Sequence, residues 1–238
     1  MKEAVEKLMG KLIVSCQAYE DTPFYGPSYM KAMAESVLMG GAQGIRACWP
    51  QDIRAIRSIC RKPIVGIYKD FPDGDPLDHV FITSTFEQAK AVIDAGADIL
   101  GIDCTIRKSR GLSELSELLG KIKESYPDMP IMADLATAEE GIALAESKMV
   151  DIISTTLNGY TRESLGQKEK TPNVRMVREL KKYTALPVNA EGRIWTPEDL
   201  ECVLDAGADM VTIGTAITRP HLITERFMEK FRQYKEKG

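Results

Sequence analysis

TFEQAKAVIDAGADIL, residues 85–100, is echoed without a gap by TPEDLECVLDAGADMV, residues 196–211. Each copy opens on a threonine with acidic residues close behind, Glu87 in one and Glu198 and Asp199 in the other, which is how helix N-termini are commonly capped. Each then carries helical periodicity into a short apolar run of strand character. The two copies start 111 residues apart in a chain of 238, as a molecule built from two similar halves would have them.

Outward from these copies the same alternation continues. Eight β-rich apolar runs follow in order: 11–17, 41–47, 63–69, 97–103, 130–136, 150–156, 186–192 and 208–214. Helical stretches separate them, from SYMKAMAESVLMGG after the first to RPHLITERFMEKFRQYKEK after the last. Strands separated by whole helices pair in parallel, since a hairpin needs only a few residues and a crossover about a dozen. Eight such units fit one (β/α)8 TIM barrel, typically about 250 residues long, so residues 1–238 are expected to form a single TIM-barrel domain. An open doubly wound sheet is the runner-up.

Composition narrows the partners. With 44% hydrophobic residues the chain can bury a sizeable core, and a net charge of −4 provides no broad basic field for nucleic acid. No apolar run approaches the roughly 20 residues that span a bilayer, and the charged start MKEAVEKLMGKLIVS does not read as a signal peptide, so a cytoplasmic location is expected. Cys16, Cys48, Cys60, Cys104 and Cys202 show no CxxC spacing and are expected to be buried, reduced thiols. His79 and His221 are isolated and read as loop residues, so no metal site is expected.

In a barrel, inward-facing side chains alternate along each strand and ligands bind at the strands' C-terminal ends. Counting by twos, Ser15 leads to Gln17, Gly44 to Arg46, Ile67 to Lys69, Met132 to Asp134 and Asn189 to Glu191. Five polar side chains therefore share one parity at the ends of five strands. Unpaired buried charge is costly, so the ring is either mutually compensated or built for a polar ligand.

Phosphate is the first expectation for that ligand. EGR after the seventh strand and IGTAITRP after the eighth place Gly192, Arg193, Gly214, Thr215 and Ala216 in the two loops that often hold phosphate in barrels, where backbone amides and a short helix N-terminus face the anion. Arg219 can add a charge-assisted bond. Lys69 and Glu191 are the reactive candidates: a lysine at a barrel mouth loses hydration and becomes a base or a Schiff-base amine, and a nearby glutamate exchanges protons with it or steadies its charge. A purely structural Lys–Glu ion pair is the competing reading.

At this point the chain resembles the N-acylglucosamine-6-phosphate 2-epimerase family. The resemblance runs from about residue 10 to 230 and rests on LIVSCQA with ED (12–21), GGAQGIRA (40–47), VGIYKD (65–70), FITSTFEQ (81–88), DILGIDCT (98–105), MADLAT (132–137), STTLNGYT (154–161), NAEGRIWTPED (189–199) and IGTAITRP (213–220). It implies a dimeric TIM barrel that works without metal or organic cofactor on a small sugar phosphate in sialic acid and amino-sugar breakdown. The family's catalytic lysine and acid/base glutamate fall on Lys69 and Glu191; its substrate-contacting glutamine, arginine and aspartate fall on Gln17, Arg46 and Asp134, and its second arginine on Arg219. Two departures stand out. The arginine that commonly follows the lysine is absent, Asp70 and Phe71 coming directly after Lys69, and the serine of the family's A-D-I-S-T is Ala136 here.

The chemistry implied is epimerisation at C2 of an amino sugar, whose proton can leave once ring opening places C2 beside the C1 aldehyde. LNGYTRES (157–164), with Gly159 as a hinge, reads as a lid that excludes water. A phosphate-binding barrel lyase or synthase using Lys69 as a Schiff base, and a catalytically silent sugar-phosphate sensor, are the rivals.

Overall fold

Eight short parallel strands close on themselves in chain order: β1 Leu12–Cys16, β2 Gly44–Cys48, β3 Ile64–Ile67, β4 Ile99–Asp103, β5 Ile131–Asp134, β6 Ile152–Ser154, β7 Val188–Glu191 and β8 Met210–Ile213. In the computed structural model, which describes residues 1–167 and 171–236, β1 pairs with β8 through Leu12–Val14 and Val211–Ile213 and shuts the barrel. The open doubly wound sheet is thereby excluded. Helices α2 Pro27–Met39, α3 Pro50–Arg57, α4 Phe86–Asp94, α5 Leu112–Ser125, α6 Ala138–Ser147, α7 Val174–Tyr183 and α8 Pro197–Asp205 connect successive strands, and α9 Thr215–Thr218 and α10 Pro220–Lys235 follow β8. A short helix, α1 Glu3–Glu6, precedes the barrel.

The repeated sequence encodes a repeated lock. Thr85 and Thr196 cap α4 and α8 by accepting from the backbone N–H of Gln88 and Asp199. Each helix then gives way to a glycine at positive φ, Gly96 at 101° and Gly207 at 97°, a conformation that costs glycine little. Two residues on, Asp98 and Asp209 accept from the first backbone N–H of the preceding strand, at Ile64 and Val188, both at 2.8 Å. The same carboxylates pair with Arg57 of α3 and Lys181 of α7. One motif thus caps a helix, turns the chain and ties neighbouring strands together.

The core lies in two places. Between barrel and helices a continuous apolar layer includes Ile45, Leu100, Ile102, Ala133 and Val188. Inside the barrel, Ile13, Val65, Ile99, Met132, Ile152 and Met210 pack over Val5 and Leu8 from the N-terminal segment. Gly44 faces this plug, where a β-carbon would come within 2.7 Å of Leu8. The sequence pattern missed α1, because one turn is too short to show a period. Its apolar side chains stopper one end of the barrel, so chemistry is confined to the other.

Three local expectations need correction. The second strand starts at Gly44 rather than Gly41. His221 lies in the first turn of α10 rather than in a loop. Cys202 is exposed on the outer face of α8, whereas the other four thiols are buried, and burial pushes those of Cys16 and Cys48 up to about 12. Among the described residues no helix is long and apolar enough to cross a membrane.

Candidate active site

The alternation rule carries the polar side chains to the open end. Val65 and Met132 are floor residues of the barrel interior, and two or four positions further along the same strands stand Lys69 and Asp134. The register sets Arg46 beside Val65 and Asp134 beside Ser154, which brings side chains from β2, β5, β6 and β7 together.

Arg46 and Asp134 form a two-pronged pair, Nη1 to Oδ1 at 3.1 Å and Nη2 to Oδ2 at 2.6 Å, with 1% and 0% of their side chains exposed. Arg46 Nη1 also lies 3.3 Å from Glu191 Oε2. The Thr156 hydroxyl sits 2.7 Å from Asp134 Oδ1 and 3.3 Å from Glu191 Oε2, and Ser154 Oγ stands 2.7 Å behind it. Below, Asn189 donates to Ser154 and accepts from Thr212. Glu191 is fixed through its backbone as well, because the Thr155 hydroxyl donates to its carbonyl at 2.9 Å and accepts from its N–H at 3.1 Å.

Two carboxylates thus share one arginine. Burial raises the Glu191 carboxyl above the ordinary glutamate range; Arg46 opposes this, Asp134 adds to it and Lys69 opposes it. Arg46 is held firmly charged: burial works against its charge, but Asp134 and Glu191 outweigh it. The arrangement sets Glu191, its carboxyl raised by burial, beside an Arg46–Asp134 pair whose charges offset each other.

Over this floor opens a cavity of about 580 Å³, within the size range of small-molecule sites. Gln17, Lys69, Glu191, Gly192, Arg193, Gly214, Thr215, Ala216 and Arg219 all line it. Arg46 and Asp134, expected from the sequence to contact the ligand, are buried side by side and meet Glu191 and Thr156 of the lining. The Arg193 side chain is held by the segment that follows β6. Its guanidinium donates to the carbonyls of Thr171 and Asn158 and to Asn158 Oδ1, which leaves its backbone for the cavity. That backbone is unusual, Gly192 and Arg193 standing at φ 113° and 59° in succession, so two consecutive amides are turned from strand geometry. After β8, α9 begins at Thr215, and the N–H groups of its first turn have no partner within the helix.

The mouth is walled by the 157–164 segment, read from the sequence as a lid, and by the loop after β3, which the sequence did not announce. Leu157, Gly159 and Tyr160 of the 157–164 segment line the cavity, with Gly159 at φ 86°. Arg162 in that segment reaches Asp75 at 2.6 Å and Asp78 at 2.8 Å in the loop after β3, and Arg107 donates to the carbonyls of Pro76 and Tyr160 from between the two loops. Arg107 and Arg110 flank Asp103, which neighbours Asp134 across the β4–β5 register. Where the family's arginine would follow Lys69, Asp70 is tied by its N–H to the Phe81 carbonyl, and Phe71 stacks on Phe81 and meets Tyr19 edge-on. An apolar wall replaces a charge there.

Asp103, Thr156 and Tyr19 were missed although the rule could have found them. Ile99 leads by twos to Asp103, Ile152 to Thr156, and Gln17 to Tyr19 just beyond β1. Lys69, two residues past the end of β3, and Glu191, the last residue of β7, come from strands four apart in either direction round the closed barrel, and both line the cavity. That geometry suits proton exchange at one carbon held between them.

Known proteins carry the same pattern. Residues 30–233 match a family model described as "Putative N-acetylmannosamine-6-phosphate epimerase". A relative in Caldanaerobacter subterraneus subsp. tengcongensis, named "Putative N-acetylmannosamine-6-phosphate 2-epimerase", is 44% identical over 226 residues, covering 95% of this chain and 93% of its own. A relative of the same name in Listeria monocytogenes serovar 1/2a is 40% identical over 233 residues, covering 98% and 96%. The solved structure of the N-acetylmannosamine-6-phosphate 2-epimerase from Clostridium perfringens superposes with a TM-score of 0.85 at 36% identity, covering 94% of this chain and 95% of that one.

Proposed function

The chain belongs to the N-acetylmannosamine-6-phosphate epimerase family, and on that premise we propose that it interconverts N-acetylmannosamine 6-phosphate and N-acetylglucosamine 6-phosphate by removing and returning the C2 proton. It is an isomerase of the 2-epimerase type. The observation that carries the mechanism is the placement of Lys69 and Glu191 across one cavity, with phosphate-sized loops beside them.

Lys69 and Glu191 do the acid/base work on the open-chain sugar, one on each side of the reacting carbon. Gln17 offers neutral hydrogen bonds to the sugar; its amide already donates to Ser15 at 2.5 Å, which aims its oxygen elsewhere. The phosphate is received by the backbone of Gly192–Arg193 and Gly214–Ala216 with Arg219 beside it. Arg46 and Asp134 act from the floor, keeping Glu191 in place and its local field balanced. Mixing the purified protein with either sugar phosphate and separating the products by anion-exchange chromatography tests this: the same mixture of epimers is expected from both sides, and an unchanged substrate would refute it.

Glu191→Gln gives a second test with a defined sign. Because burial raises the Glu191 carboxyl, the fold favours its protonated form, and the stability this contributes is present below the unfolded value and lost as pH rises through the folded one. The neutral glutamine is therefore expected to raise the melting temperature over wild type at about pH 8 and to give no gain at about pH 4, near the ordinary carboxyl range. Its epimerase activity is lost at both.

The protein works as a homodimer in the cytoplasm, on the route that breaks down sialic acid and other amino sugars. The support for the dimer is α10: among its described residues none is buried, and Phe227, Met228, Phe231 and Tyr234 are exposed. A 16-residue helix with such a face is covered by a second copy. Light scattering should report twice the chain mass, falling to the monomer in Phe227→Ser/Phe231→Ser.

A further inference from the structure

Lys69 has no carboxylate partner among the described residues; its Nζ donates instead to the Tyr19 hydroxyl, at 2.8 Å. Tyr19 lies just past β1 and lines the cavity. The Arg219 guanidinium lies over the same ring, 4.7 Å from its centre, and the Lys69 ammonium is 5.3 Å from that centre. One phenol therefore touches both the proposed base and the proposed phosphate cation.

The surroundings hold this phenol in place at a cost. Trp49 meets the Tyr19 ring edge-on at 6.1 Å and donates from its indole N–H to the Lys69 carbonyl at 2.9 Å. It does so from a backbone at φ 66° and ψ 142°, a region that side-chain-bearing residues rarely occupy. Phe71 closes the other side of the ring at 5.7 Å. Such strain persists only where neighbours over-determine it, and these neighbours converge on Lys69 and Tyr19.

We propose that Tyr19 is a positioning residue of the epimerase reaction, whose hydroxyl fixes the Lys69 amine against the reacting carbon and couples it to the phosphate cation Arg219. Burial alone would raise the phenol, yet Lys69 and Arg219 together bring it below the ordinary tyrosine range. Neutralising either cation therefore changes the phenol, and through it the other. Phosphate bound at Arg219 is felt at Lys69.

The proposal rests on the epimerase reading for its kinetic consequence only. Tyr19→Phe keeps the ring and loses the hydroxyl; kcat should fall roughly tenfold, the worth of one hydrogen bond to a charged group, with KM for N-acetylmannosamine 6-phosphate nearly unchanged. Tyr19→Leu, which removes the ring too, should be no better. The second readout needs no turnover. The ultraviolet difference titration of wild type minus Tyr19→Phe isolates the Tyr19 phenolate, which should form at lower pH than free tyrosine, move up in Lys69→Met, and move up again when inorganic phosphate is added to wild type. Wild-type kcat in Tyr19→Phe would overturn the positioning role. A phenolate transition indifferent to both Lys69→Met and phosphate would overturn the coupling. If wild type fails to epimerise while the titration shifts as stated, the epimerase reading falls and the Tyr19 coupling stands.

Discussion

Lys69→Ala is expected to lower epimerase turnover by about 10²- to 10⁴-fold, the contribution of a positioned acid or base. The side chain ends at the cavity, its ammonium meets the Tyr19 hydroxyl and ring, and its backbone remains held by Trp49 and the bridge to Ile82. Removing it opens space at the mouth and leaves the floor pair intact, so circular dichroism and the melting curve should match wild type within the small range of surface substitutions. A folded variant that keeps wild-type turnover would remove Lys69 from the chemistry. A Schiff-base route predicts the same loss, and borohydride trapping of a substrate adduct on wild type separates the two.

The largest effect on stability should come from Asp134→Ala. Arg46 is 1% exposed and its two terminal nitrogens rest on the Asp134 carboxylate, so the substitution leaves a charged guanidinium in the interior with Glu191 as its remaining carboxylate among the described residues. Breaking a buried pair from one side costs about 3–5 kcal/mol, which is a large fraction of a domain's total stability. Urea denaturation should show the midpoint falling with little change in slope. Replacing both members, Arg46→Met with Asp134→Leu, removes the orphaned charge and should recover much of the loss, while activity stays low because Glu191 has lost its partner and Thr156 its acceptor. Equal destabilisation by the single and double variants would mean that packing, rather than charge, dominates the floor.

Much of this was legible in the residues for physical reasons. The echo at 85 and 196 is visible because cap, turn glycine and strand-locking aspartate each demand a particular residue type, so two units doing the same job look alike. The inward ring was legible because a strand's period of two fixes which side chains share a face. What stayed hidden was depth. Parity says that Arg46, Asp134 and Glu191 face inward, but not that the first two are buried as a pair while the third stays partly open to the cavity. The partners of the Arg193 guanidinium were hidden for a related reason: Asn158 and Thr171 are brought beside it by the path of the chain after β6. Trp49 left no periodic trace, because it sits at a backbone position that suits glycine, and Tyr19, one step on from Gln17 in the same count, lies past the end of β1.

Epimerisation in this cavity requires that a proton leave and return at C2. Proton NMR of the purified wild-type protein with N-acetylmannosamine 6-phosphate in D₂O measures that directly. N-Acetylglucosamine 6-phosphate is expected to appear with deuterium at C2, and the C2 proton signal of the remaining substrate to fade as the epimers exchange. Epimer formed with its original proton still at C2 would contradict exchange with solvent, and a spectrum that never changes would contradict the function itself.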